Sequence, residues 1–165
     1  MQVGYHAVMA SKIEELGLYF EDFYVNQTWE TPAYLVRAEE LLDYAQVWDP
    51  LPIHTDVAAA TASPHGGLIA SGEHTFAIMR RMLWDLGVTS KATRIVEQRE
   101  LRFLAPTRIN DRVTIRARCT DLQRNQSPDI GLVTLEIEAI NQSGIASLRC
   151  TDTLEVLREP RNAAR

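Results

Sequence analysis

The sequence has few cysteines, no long apolar run and no excess of basic charge, and each absence excludes a class of protein. Its 165 residues include two cysteines, Cys119 and Cys150, so we expect buried free thiols rather than a disulfide framework. No apolar run is long enough to cross a bilayer, so no membrane partner is expected. The net charge of -5 argues against nucleic-acid binding, which usually needs a basic face. Because the N-terminus lacks the basic and apolar regions of a secretory signal, we expect a cytoplasmic protein.

The common signatures of bound cofactors are also missing. There is no Gly-Lys-Ser/Thr of a phosphate loop and no strand-linked Gly-x-Gly-x-x-Gly, so a nucleotide site has no support. The spacing of His54, His65 and His74 matches no common zinc pattern. We therefore expect neither a metal nor a resident cofactor.

Apolar residues at helical spacing predict a first helix of about three turns that ends at Asp49-Pro50, because proline disfavours the helical conformation in the residue before it. Pro50 and Pro52 then predict a stiff, extended connector that brings His54 to a fixed place. A second helix is predicted over 71–86, with Ser71 as its N-cap and Gly87 as its C-terminal cap.

From residue 93 onward the apolar period changes to two, which predicts antiparallel strands with one buried face each. The segment 29–36 contains Pro32, so a strand there would be an edge or irregular one. A sheet that is apolar on one face needs a cover, and the helix over 71–86 can supply it. These observations predict an α+β fold in which an antiparallel sheet wraps around a central helix.

The chain length of 165 residues fits one domain of ordinary size. We predict a single domain over 19–157, preceded by an extension of residues 1–18 and followed by a tail of residues 158–165. The extension contains a possible short helix over 7–16.

The carboxyl of Asp49 and the imidazole of His54 are the first candidates for chemistry. They lie five positions apart in the sequence, and the prolines between them favour a fixed geometry. Such a pair within reach of one water can polarise it and move its protons. The alternative is that Asp49 caps local backbone groups and His54 is an ordinary loop histidine.

The glycine-rich run before the second helix is the other candidate. A helix N-terminus offers unpaired N–H groups that can hold an oxyanion, and Gly72 exposes its N–H with no side chain in the way. Ser71, Gly67 and His74 lie close enough in sequence to belong to the same substrate pocket. The alternatives are a helix cap for Ser71, a simple turn for Gly67 and a helix-surface position for His74.

At these residues the chain resembles the MaoC-like dehydratases, also called (R)-specific enoyl-CoA hydratases, of the hot-dog fold. The family pattern is Asp-x-Asn-Pro-x-His, and here Asp49, Pro52 and His54 match while Leu51 replaces the asparagine. The family often has histidine before the glycine, where this chain has Ser71. Further likeness lies in 20–23, 66–72, 127–133 and 141–144.

This resemblance implies that Asp49 and His54 share a catalytic water and that the Gly72 N–H binds the thioester oxygen. The implied reaction is reversible hydration of a 2-enoyl-CoA to a 3-hydroxyacyl-CoA, with acyl-CoA or acyl carrier protein as the partner. No separate cofactor is implied because the substrate carries coenzyme A, and a homodimer joined through its sheets is implied. Two alternatives stay open: thioester hydrolysis with Glu73 as the carboxylate, and a non-catalytic acyl-thioester-binding subunit.

Overall fold

The computed structural model describes residues 17–160, so the helix predicted over 7–16 lies outside the described part. The described chain begins with a 3-10 turn at Phe20–Asp22. Four helices are α1 (Ala38–Trp48), α2 (Pro52–Thr55), α3 (Val57–Ala62) and α4 (Gly72–Asp85). Six strands are β1 (Thr28–Glu30), β2 (Tyr34–Leu35), β3 (Ala92–Phe103), β4 (Arg112–Arg124), β5 (Ile130–Ile140) and β6 (Ala146–Leu157). No helix within residues 17–160 is both long and apolar enough to span a membrane.

The strands form one antiparallel sheet in the order β1-β4-β5-β6-β3, with β2 also paired to β4. The irregular edge predicted for 29–36 is confirmed, because β1 and β2 lie on either side of Pro32. Between them, the Thr31 N–H donates to the Ile115 carbonyl and the Thr31 hydroxyl accepts from the Ile115 N–H, both at 3.0 Å. The Thr31 hydroxyl thus pairs the backbone N–H of Ile115 in β4, at the point where the chain leaves the regular ladder between β1 and β2.

The central helix α4 packs against β4 and β6, which confirms the α+β fold predicted from the sequence. The face of α4 that enters the core carries Ile78, Met79, Met82 and Leu83. The expected cap at Gly87 is confirmed: its φ is +85°, its N–H donates to Trp84 O, and the Val88 N–H donates to Leu83 O. These two bonds satisfy the last carbonyls of the helix. Cys119 and Cys150 are free and buried in the sheet, as predicted.

The extended connector predicted around Pro50 and Pro52 is wrong beyond Leu51. Leu51 is extended, with φ -64° and ψ 141°, and the chain then forms α2 and α3. Pro52 occupies the first turn of α2, where its missing N–H would have had no helical partner in any case. The Asp56 carboxylate caps α3 by accepting from the N–H groups of Ala58 and Ala59.

Two predicted apolar faces are also wrong in part. Trp48 fits the helical period of α1 but is 73% exposed. Strand β3 lies at the sheet edge, and Leu101 and Phe103, predicted on its buried face, are 38% and 51% exposed. Ile95 and Val96 of the same strand are exposed as well. The period shows which residues share a face, but it does not show whether another element covers that face.

Candidate active site

A cleft of about 600 Å³ lies between the end of α1, the start of α4 and the end of β3. Three of the predicted site residues, Asp49, His54 and Gly72, line it together. Its other walls are formed by Leu51, His65, Ile69, Ala70, Glu73, Thr75, Ser147 and residues 103–107. The structure therefore brings the predicted pair and the predicted helix start into one space.

Backbone hydrogen bonds hold Asp49 at the exit of α1. Its N–H donates to Ala45 O at 3.0 Å, and its carbonyl accepts from the Leu51 N–H at 2.9 Å. The His54 N–H then donates to Leu51 O at 2.9 Å, so the two candidate residues are joined by a short bonded turn.

The buried ring of His54 is oriented by a backbone carbonyl. Nδ1 lies 2.9 Å from Ile69 O, and because a carbonyl only accepts, Nδ1 carries the proton. Nε2 lies 3.4 Å from Oδ2 of Asp49. Ile69 is itself held between elements, since its N–H donates to Ile53 O and the Ala70 N–H donates to Thr107 O.

When Nε2 carries no proton, His54 and the Asp49 carboxylate present two hydrogen-bond acceptors to each other. Two acceptors 3.4 Å apart cannot hydrogen-bond to each other, but one water lying off the line between them can donate one hydrogen to each. Its oxygen lone pairs would then point away from the protein pair. This arrangement suits the delivery of a water oxygen to an electrophile.

Gly72 supplies a free hydrogen-bond donor to the cleft. It is the first residue of α4, and within residues 17–160 its N–H makes no hydrogen bond. A free N–H at the positive end of a helix dipole can stabilise an oxygen that gains charge. The Phe103 ring packs so closely that a Cβ on Gly72 would lie 2.8 Å from two ring carbons.

The family model of the MaoC like domain matches residues 23–142, a range that includes Asp49, His54 and Gly72. The chain belongs to the MaoC-like domain family. Membership supports hydratase or dehydratase activity at the family level.

Solved structures agree with the family. A MaoC-like dehydratase from Rhodospirillum rubrum is 33% identical with a TM-score of 0.80, over 87% of this chain and 99% of that one. R-hydratase PhaJ1 from Pseudomonas aeruginosa, unliganded, is 20% identical with a TM-score of 0.72, over 87% and 88%. A conserved hypothetical protein from Mycobacterium tuberculosis with a double hot-dog fold is 19% identical with a TM-score of 0.74, over 90% and 47%. The predicted hot-dog fold is thus confirmed.

Two residues depart from the MaoC-like pattern quoted above. Leu51 stands at the asparagine position and lies half-exposed in the cleft wall, while the backbone bonds to Asp49 and His54 hold the turn. Ser71 is the residue before α4 and is fully buried, but its hydroxyl makes no cap bond to the helix backbone. It donates instead to Oε2 of Glu73 at 3.0 Å, and Glu73 lines the cleft.

The structure does not bring every predicted residue to this MaoC-like cleft. Gly67 lies in the loop between α3 and α4 and is not among the lining residues. His74 faces a separate groove of about 860 Å³ between α1 and α4. Within residues 17–160, no group of three or more His, Cys, Asp or Glu side chains is arranged to hold a metal ion.

Sequence reasoning missed two contributors to the cleft. The carbonyl of Ile69 orients His54, and no pattern of residue types marks a backbone carbonyl for such a task. Phe103 covers Gly72 from the last position of β3, although its place in the period-two pattern after residue 93 predicted a buried sheet face. An aromatic residue directly before the irregular Leu104-Ala105-Pro106 segment was the available signal.

Proposed function

We propose that this chain catalyses the reversible hydration of a 2-enoyl thioester to a 3-hydroxyacyl thioester. The observation that carries the proposal is the facing pair Asp49 Oδ2 and His54 Nε2, 3.4 Å apart in a cleft that also contains the first N–H of α4. Asp49 and His54 are the proposed catalytic residues, and the Gly72 N–H is the proposed oxyanion donor.

The reaction balances with one water. The water oxygen forms the bond to the β-carbon as one of its O–H bonds breaks, and that proton passes to Asp49 or His54. The π electrons of the double bond move towards the thioester oxygen, whose growing charge the Gly72 N–H stabilises. A proton from the pair is then returned to the α-carbon, which completes addition of H and OH. Dehydration follows the same steps in reverse.

The finer features belong to the same proposal. We expect (R) stereochemistry, a coenzyme A or acyl carrier protein thioester, and no cofactor beyond the one that the substrate carries. The free thiols Cys119 and Cys150 fit a reducing compartment such as the cytoplasm.

A homodimer joined at β3 is proposed as the working assembly. Strand β3 has twelve residues and lies at the sheet edge with one side unpaired within residues 17–160. Long exposed edges with apolar side chains are prone to pair with another chain, and Ile95 and Val96 are each at least 40% exposed. A two-fold dimer is the commonest closed assembly, and two identical edges can pair in that way.

A panel of enoyl thioesters tests this function. We expect the absorbance of the conjugated double bond to fall on addition of the protein, with an (R)-3-hydroxyacyl product on chiral analysis. Activity is expected to survive treatment with a chelator. Absence of hydration across short, medium and branched acyl groups on both coenzyme A and acyl carrier protein would count against the proposal.

Thioester hydrolysis remains a second candidate because Glu73, on the first turn of α4, lines the same cleft. A carboxylate there is within reach of the substrate that Gly72 is proposed to hold. Release of free thiol without loss of the double bond would favour hydrolysis over hydration. Replacement of Glu73 by glutamine would then abolish thiol release.

A further inference from the structure

His74, which does not reach the cleft, connects the two helices that carry the proposed machinery. Its ring stacks on Tyr44 of α1, with centroids 4.6 Å apart and planes 9° from parallel. Its Nε2 lies 3.7 Å from Oε1 of Glu40, and the other Glu40 oxygen accepts a hydrogen bond from the Tyr34 hydroxyl. We call Tyr34, Glu40, Tyr44 and His74 the α1–α4 junction.

Packing alone does not account for a histidine at this position. His74 is only 3% exposed, and its Nδ1 is buried without a hydrogen-bond partner. Burial, opposed by Glu40, lowers the pKa of His74, so the ring is neutral near pH 7. An apolar residue would fill the space without leaving a polar atom unpaired, which costs stability. The polar link from Nε2 to Glu40 is the feature that only a histidine supplies here.

Each joined helix leads directly to a residue of the proposed site. Asp49 follows α1 five residues after Tyr44, and Gly72 opens α4 two residues before His74. Both helices also contribute apolar side chains such as Leu41 and Ile78 to the common core. Apolar packing is not directional, whereas a stacked ring restricts how one helix is set against the other, and the Glu40 carboxylate attracts the Nε2–H of His74 across 3.7 Å.

We propose that the α1–α4 junction is a positioning device that sets the Asp49 carboxylate relative to the Gly72 N–H. This inference rests on the proposed hydration and adds Glu40 and His74 as positioning residues that never touch the substrate. A misplacement of about 1 Å in a catalytic group can cost about 10²-fold in rate, so a small shift between the helices matters.

Four variants test the junction. His74→Phe keeps the stack on Tyr44 and removes the polar link, and Glu40→Ala removes the link from the other side. Glu40→Gln can keep both contacts, because its amide oxygen can accept from the Nε2–H of His74 while its amide N–H donates to the Tyr34 hydroxyl oxygen. Asp43→Ala is the matched control, because Asp43 lies exposed in the same groove on α1.

We expect His74→Phe and Glu40→Ala to lower kcat for enoyl-thioester hydration about tenfold or more, with KM changed less than about twofold. Glu40→Gln and Asp43→Ala are expected to stay within about threefold of wild type in kcat. A purely structural role would lower the melting temperature without this split between kcat and KM. Wild-type kcat in a folded Glu40→Ala protein would overturn the proposal, even where His74→Phe does not fold.

Failure of the proposed function is recognised separately. If the wild-type protein hydrates no enoyl thioester, hydrogen exchange in the segments 46–51 and 71–75 provides the readout. Faster exchange in both segments in His74→Phe and Glu40→Ala, but not in Glu40→Gln or Asp43→Ala, would support the junction as the device that sets these two ends. Unchanged exchange would overturn it.

Discussion

Replacing Gly72 by alanine should impair catalysis far more than folding. The new methyl carbon would lie 2.8 Å from Cε1 and Cζ of Phe103 and 3.0 Å from Cδ1, against an ordinary carbon contact of about 3.5–4.0 Å. Phe103 is 51% exposed, so its ring can turn away. The cost of overpacking should therefore lie near the low end of about 1–3 kcal/mol, and up to about 1 kcal/mol is returned because alanine favours a helix over glycine.

The effect on rate is larger because the displaced ring and the methyl group crowd the N–H that holds the oxyanion. Loss of one such donor costs about 10²–10³-fold in kcat. We expect Gly72→Ala to melt within a few degrees of wild type and to lose about 10²-fold in the initial rate of enoyl-thioester hydration. In a Phe103→Ala background, Gly72→Ala should reduce the rate at least about tenfold less than it does in the wild-type chain, with Phe103→Ala alone as the reference. A Gly72→Ala protein with the wild-type rate would refute the role of this N–H.

Three further predictions concern other parts of the molecule. Asp152 is fully buried, 2.5 Å from Arg80 and 3.0 Å from Gln98, so Asp152→Ala should lower the free energy of unfolding by about 3–5 kcal/mol in urea titrations. As the control, Arg118→Ala breaks an exposed ion pair and should lower the free energy of unfolding by no more than about 1 kcal/mol. Equal losses of stability in Asp152→Ala and Arg118→Ala would contradict this difference. Leu51→Asn should leave kcat within about tenfold, because backbone bonds hold its turn; a complete loss of rate would show otherwise. Burial raises the pKa of Cys150 to about 12, so the native protein at pH 8 should resist a thiol reagent at this residue until urea is added, as peptide mapping would show.

Most of the fold is predictable from the sequence because its strands and helices have clear periods. The inward residues of β4 and β5 alternate as the pattern requires, and the ends of α1 and α4 are set by local chemistry at Pro50 and Gly87. Strand β3 shows where such reasoning stops. Its apolar residues have the period of a half-buried strand, yet exposure depends on what lies beside the sheet edge, which no local pattern contains.

The site is predictable in its residues but not in its orientation. The spacing of Asp49 and His54 and the glycine run indicated the pair and the helix start, and the cleft brings them together. Proximity in sequence placed His74 in the same pocket, but a helix turns about 100° per residue, so a position two residues after Gly72 faces α1 instead. The bond from His54 to Ile69 O required the fold, since fifteen residues separate its partners.

The hydration rates of Asp49→Asn and His54→Gln proteins, with crotonyl-CoA and the best substrate of the panel, decide whether Asp49 and His54 are the catalytic pair. Both substitutions keep the approximate shape of the cleft and remove a proton acceptor. We expect each variant to remain folded and to lose about 10²-fold or more in kcat. Wild-type rates in both variants would contradict the assignment of Asp49 and His54 as the pair that shares the catalytic water.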